Sequence, residues 1–166
     1  MHPGLSMIIT QATSADAEEI LALQKLAYQS EAAIYQDYTI PPLRQTLGEI
    51  TAEFQTRLFL KAAAGGCIRG SVRAHLTDGT CYIGRLIVHP AYQNLGLGTQ
   101  LMSKIEGYFP EAQRYELFTG HLSERNLYLY RKLGYLPIRR EPVSGKLTLV
   151  FLEKKGDSRE SRGLFA

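Results

Sequence analysis

The spacing of apolar positions changes several times between Met7 and Lys155, and each change marks an element. "MIITQAT" is short and β-branched, which predicts a strand. After Thr13, "SADAEEILALQKLAYQSEA" repeats Ile20, Leu23 and Ala27 at helical spacing, with acidic residues in its first turn. Pro41 and Pro42 interrupt that period, and "LRQTLGEITAEFQ" restores it. "RLFLKAAA", "CIRGSVRAHL" and "CYIGRLIV" then read as three strands of an antiparallel meander, divided at Gly65-Gly66 and Asp78-Gly79. The helix "GTQLMSKIEGYF", the strand "RYELFTG" and the helix "SERNLYLYRKL", stopped by Gly134, follow in order. "YLPIRRE" and "KLTLVFLEK" close the chain as two strands around Val143-Ser144-Gly145. The pattern therefore predicts an α/β (α+β) domain of about seven strands and four helices, mainly antiparallel.

At 166 residues, 45% of them hydrophobic, the chain fits one domain over 1–166, with 1–6 as a flexible lead and 156–166 as a polar tail. The net charge of +3 comes from scattered Lys and Arg, with no aromatic-basic cluster, so nucleic acid is not an expected partner. Cys67 and Cys81 match neither a disulfide framework nor a metal-ligand spacing, and no metal is expected. With no signal peptide and no apolar run of membrane-spanning length, the expected setting is cytoplasmic, away from membranes.

The stretch "QNLGLG", Gln93 to Gly98, stands where a strand hands over to a helix. Free N–H groups and the positive dipole end make such a helix start an anion site, and glycine lets a phosphate approach closely. A nucleoside triphosphate loop is excluded because Thr99-Gln100 follows Gly98 where Lys-Ser/Thr is required. A dinucleotide loop is excluded because Leu101 occupies the place of the third glycine. An anion cradle and a plain tight turn remain as readings of the residues alone.

The spacing Gln93-x-x-Gly96-x-Gly98, preceded by "LIVHPAY", resembles the acyl-CoA pyrophosphate loop of the Gcn5-related N-acetyltransferase (GNAT) superfamily, and "SERNLYLYRKLGY" resembles its second signature. The resemblance implies the acyl-CoA N-acyltransferase fold, with acetyl-CoA as cosubstrate and an amine of a small molecule or peptide as acceptor. It places pantetheine on the backbone of Leu86, Ile87 and Val88, pyrophosphate on Gln93, Asn94, Leu95, Gly96, Leu97, Gly98 and Thr99, and a further cofactor contact on Asn126. It makes Tyr130 the acid that protonates the leaving thiolate and the Val88 N–H a donor to the developing oxyanion. It also leaves a homodimer open. Two positions depart from the pattern: Ser123 stands where many members have Asn, and Gly84 stands where many have a glutamate base. Glu116, His75 and His121 are the remaining candidate bases. For the acceptor, Tyr28, Glu31 and Tyr35, with Asp37 and Tyr38 beyond, suit a cation, whereas Arg139, Arg140 and Lys146 suit an acidic molecule. The missing glutamate keeps a second reading in play, a module that binds acyl-CoA without turnover.

Overall fold

The computed structural model describes residues 6–157; the expected lead and tail fall outside them, apart from Ser6, Gly156 and Asp157. The seven strands are β1 (Ile8–Gln11), β2 (Leu58–Ala64), β3 (Cys67–Thr77), β4 (Thr80–Val88), β5 (Arg114–Gly120), β6 (Leu136–Pro142) and β7 (Thr148–Lys155). They form one sheet in the order β1-β2-β3-β4-β5-β7-β6. Only β4 and β5 pair in parallel, so the sheet is mixed and mainly antiparallel, as the pattern predicts. Two tight turns make the meander, and their residues Gly65, Gly66, Asp78 and Gly79 all lie at positive φ, the geometry that suits strand twist.

The first predicted helix is drawn as two segments, α1 (Ala17–Ala27) and α2 (Gln29–Tyr35), joined at Tyr28. The second is α3 (Pro41–Arg44) and α4 (Leu47–Glu53). Thr46 starts α4 with a reciprocal cap: its hydroxyl accepts from the Glu49 N–H at 3.1 Å, and the Glu49 carboxylate accepts from the Thr46 N–H at 2.9 Å. The remaining helices are α5 (Leu97–Gly107) and α6 (Glu124–Lys132).

Alternation along the strands divides the apolar side chains between two cores. On the back face, Leu60, Val72 and Leu152 pack with Leu101, Met102 and Ile105 of α5. On the front face, Phe59, Ile68 and Ile87 pack with Ile20 and Leu23 of α1 and Ile50 of α4.

The feature that makes a site is the parting of β4 from β5. Their register runs only through Thr80↔Arg114, Cys81↔Tyr115 and Tyr82↔Glu116, after which each strand continues without the other. Beyond Tyr82 the sheet is open along its middle.

Gly48 lies exposed in α4, and a Cβ built there meets nothing within 4 Å. Gly48→Ala is expected to stabilise the protein by about 0.5 kcal/mol, because alanine loses less backbone entropy in a helix; urea unfolding checks this.

Candidate active site

A cleft of about 420 Å³ lies along β4 beyond the point where it parts from β5. One wall is the free run of β4, and Leu86, Ile87 and Val88 all line it. The N–H of His89 turns back to Arg69 O on the β3 side at 2.8 Å. Backbone groups alternate in direction along a strand, so the Val88 N–H faces the opening.

The floor of the cleft is the loop into α5. Gln93, Asn94, Gly96, Leu97, Gly98 and Thr99 line it, while Leu95 points outward with 56% exposure. Gly96 sits at φ 81°, a left-handed conformation that glycine adopts without a Cβ penalty, and no side chain caps the helix that follows. The first intrahelical bond here is from the Gln100 N–H to Gly96 O at 3.1 Å, so the N–H groups of Leu97, Gly98 and Thr99 precede the helical ladder. Gly98 is not at positive φ, and a Cβ there would be in ordinary contact with Leu129 of α6 at 3.4 Å.

Helix α6 forms the opposite wall and adds charge at the loop. Arg125 donates to Gln93 Oε1 and, at 2.8 Å, to Asn94 Oδ1, and Lys132 also lines the cleft. Neither cation stood out in the sequence; their nearly two-turn spacing along "RNLYLYRK" becomes informative only once α6 is laid beside the loop. Asn126 faces the cleft, donating to Glu31 Oε1 at 3.3 Å and Thr119 Oγ1 at 3.2 Å.

From the front, the α1–α2 junction closes the cleft with Tyr28 and Glu31. Tyr35 is not at this surface. It is 4% exposed, and its hydroxyl accepts from the Leu122 N–H at 2.9 Å while bonding Ser123 Oγ at 2.8 Å. Because Ser123 Oγ donates onward to Glu31 Oε2, the Tyr35 hydroxyl must be the donor to Ser123. A directed chain thus runs from Tyr35 through Ser123 to the Glu31 carboxylate. Ser123, the departure from the usual Asn, is the middle link.

Tyr130, one turn beyond Asn126 on α6, does not line the cleft; it is 6% exposed and edge-on to Tyr135 at 6.1 Å between ring centroids. Burial raises its phenol well above the ordinary tyrosine value, with Tyr28 and then Glu31 adding to the rise. Its hydroxyl makes no hydrogen bond to another described residue.

The candidate bases lie elsewhere. Glu116 pairs with Tyr82 at the last joined register, and its carboxylate is held by Arg114 at 2.7 Å and Arg139 at 3.4 Å. His75 stacks on Tyr82 at 5.3 Å and accepts from Arg57 at 3.4 Å; burial, then the charge of Arg57, lowers its pKa. His121 accepts at Nδ1 from the Thr148 N–H at 3.0 Å. None of the three lines the cleft. The cleft's carboxylate is that of Glu31. Among the described residues, no group of three His, Cys, Asp or Glu side chains is placed to hold a metal ion, and no helix is long and apolar enough to cross a membrane.

Comparison with known proteins follows the same lines. The model of the acetyltransferase (GNAT) family matches residues 18–135. No curated protein matches the chain. Among solved structures, the ribosomal-protein-S18-alanine N-acetyltransferase from Escherichia coli is 13% identical with a TM-score of 0.75, the match covering 90% of this chain and 94% of that one. A GNAT-family acetyltransferase from Streptococcus pneumoniae is 17% identical with a TM-score of 0.74, covering 91% and 99%. The PaiA N-acetyltransferase from Thermoplasma acidophilum, solved in complex with coenzyme A, is 20% identical with a TM-score of 0.69, covering 90% and 99%. At such identities these likenesses establish the fold.

The buried strap has a steric requirement at Gly120, where a Cβ would lie 2.0 Å from the Tyr35 hydroxyl. Gly120→Ala is expected to destabilise the protein by about 1–3 kcal/mol through overpacking, measured by chemical denaturation.

Proposed function

The chain belongs to the acetyltransferase (GNAT) family, and from that premise we propose that it is an acetyl-CoA-dependent N-acetyltransferase acting on a primary amine. The observation that carries the reading is the cleft beside the parting of β4 and β5, which has an uncapped helix start at one end; Tyr130 is not part of its lining but is electrostatically coupled to the lining residues Tyr28 and Glu31.

The residues present fit acetyl-CoA by their donor chemistry. Free N–H groups at Leu97 to Thr99, the left-handed Gly96 and the cations Arg125 and Lys132 form a cradle for a pyrophosphate. Leu86 to Val88 offer backbone groups and apolar surface to pantetheine, with Asn126 as a further polar contact. When bound, acetyl-CoA supplies an acetyl group activated as a thioester.

The chain's own groups then divide the remaining work. The Val88 N–H stabilises negative charge on the carbonyl oxygen as the amine adds. Glu31, held by Ser123 and Asn126, faces the acceptor's ammonium beside the Tyr28 ring and receives the proton that the nitrogen gives up. Tyr130 donates its hydroxyl proton to the departing sulfur. Its raised pKa keeps that proton in place at neutral pH, and the alkaline loss of this acid lies above the value of about 10 for an ordinary tyrosine. The acceptor is an amine of a small molecule or a peptide.

Acetyl-CoA is expected to bind saturably in calorimetry, and thiol release is expected to depend on an added amine. Tyr130→Phe is expected to lower turnover about 100- to 10,000-fold while acetyl-CoA binding persists. Saturable binding without transfer to any amine would instead identify an acyl-CoA-binding module, and absence of binding would remove both readings.

A further inference from the structure

Positive charge behind Tyr28 is incompletely balanced. Arg57 and Arg73 share a single carboxylate, Glu53, with Arg73 Nε 3.5 Å from it. Arg73 is 3% exposed; its Nη2 donates to Gln24 at 2.7 Å and Gln45 at 3.2 Å, while Nη1 is sealed in without a partner. Burial pulls its pKa down to about 10, against the opposing effect of Glu53, and Arg85 adds to the fall, so Arg85 is part of the same electrostatic cluster. The Arg85 guanidinium lies against Tyr28, 6.0 Å from the ring centroid, and forms no ion pair with any described residue.

The backbone explains how Arg85 comes to be there. Arg73 pairs with Gly84 and Ser71 with Ile87, so Arg85 and Leu86 both stand opposite Val72 in a β-bulge. Arg85 takes φ 51°, a left-handed conformation that residues bearing a Cβ adopt infrequently. Regular alternation from Gly84 would turn Arg85 to the back face; the extra residue gives that place to Leu86, which packs on the back core. The guanidinium is left on the front, beside Gly84, where a Cβ would meet nothing within 4 Å. A cation whose partner is the Tyr28 side chain and not a carboxylate, a strained backbone and open space thus coincide beside Leu86 at the edge of the cleft. Glu31, three residues along the chain, lines the cleft with Tyr28, and Arg85 and Glu31 both act electrostatically on the Tyr28 hydroxyl.

We propose that the acceptor is an amine that also carries a carboxylate, as an α-amino acid does, with Arg85 pairing the carboxylate while Glu31 takes the ammonium. This rests on the N-acetyltransferase reading given above. Arg85 is a specificity-determining contact, and the glycine at 84 leaves the space that the acceptor's carboxylate occupies.

The test compares the standard amino acids with their amides, which keep the amine and side chain but lack the carboxylate charge. Turnover is followed by thiol release, and binding to CoA-loaded protein by calorimetry. At least one amino acid is expected to exceed its amide by about 10- to 100-fold, the scale of a charge-assisted pair. Arg85→Met is expected to bring that ratio close to one, and Arg85→Lys to retain part of it. Gly84→Glu, which sets a competing carboxylate beside Arg85 without a clash, is expected to abolish the preference independently. The proposal is overturned if amides serve as well as amino acids, if the ratio survives both Arg85→Met and Gly84→Glu, or if no amino acid binds to CoA-loaded protein. A protein that acetylates other amines but ignores amino acids would keep the transferase reading and remove this acceptor, whereas absence of acetyl-CoA binding would remove the two together.

Discussion

A parallel strand pair that holds for three residues and then separates is the constraint on which the molecule turns. β4 and β5 are joined only from Thr80 to Tyr82 on one side and Arg114 to Glu116 on the other. Beyond that point β4 keeps its antiparallel partner β3, and β5 keeps β7, so each half of the sheet stays paired while the middle lies open. An opening inside a sheet exposes backbone groups that would otherwise pair across it, and such groups require partners from somewhere. Here they are presented to a cleft whose far end is a helix start with free N–H groups of its own. A ligand with a polar, partly peptide-like arm and an anionic end satisfies both.

Two structural devices shape the walls of the opening. One is the buried strap from Tyr35 through Ser123 to Glu31, which ties α2 to the chain between β5 and α6. Its bonds satisfy polar groups that are out of reach of water and at the same time fix the rotamer of Glu31. The other is the bulge at Arg85, which changes which residues of β4 face front and back. Without that extra residue, Ile87 would leave the front core and Arg85 would point into the back one.

Much of the fold was legible in the chain's period. The seven strands lie within a few residues of the predicted segments, because alternation and turn residues such as Gly65-Gly66 and Asp78-Gly79 are local signals. The helix after Gly96 was legible to within a residue, read from Gly98 and observed from Leu97, whereas the cap at Thr46 lies inside a segment read as helical from Leu43. Placement of the candidate bases was not. Glu116 and Phe118 lie on one face of β5, yet only the register with β4 and β7 sets Glu116 at the joined end, between Arg114 and Arg139. Tyr35 reads as a helix-end aromatic, but folding buries it and makes its hydroxyl a link. Arg125 and Arg85 carry no local signature, because one acts across α6 and the other through a bulge.

The sequence by itself determined the elements, the meander, the glycine-bearing entry to α5 and the pairing of two motifs that marks the family, since each depends on neighbours within a few residues. Only the tertiary structure decided which carboxylate faces the cleft, which polar side chains are consumed in the strap and that Arg85 meets the Tyr28 side chain in place of a carboxylate. Those outcomes depend on strand register, on one extra residue in β4 and on groups such as Tyr35 and Ser123 that meet across 88 positions of chain. Charge and hydrogen-bond balance at a site is a property of what packing brings together, and local spacing does not contain it.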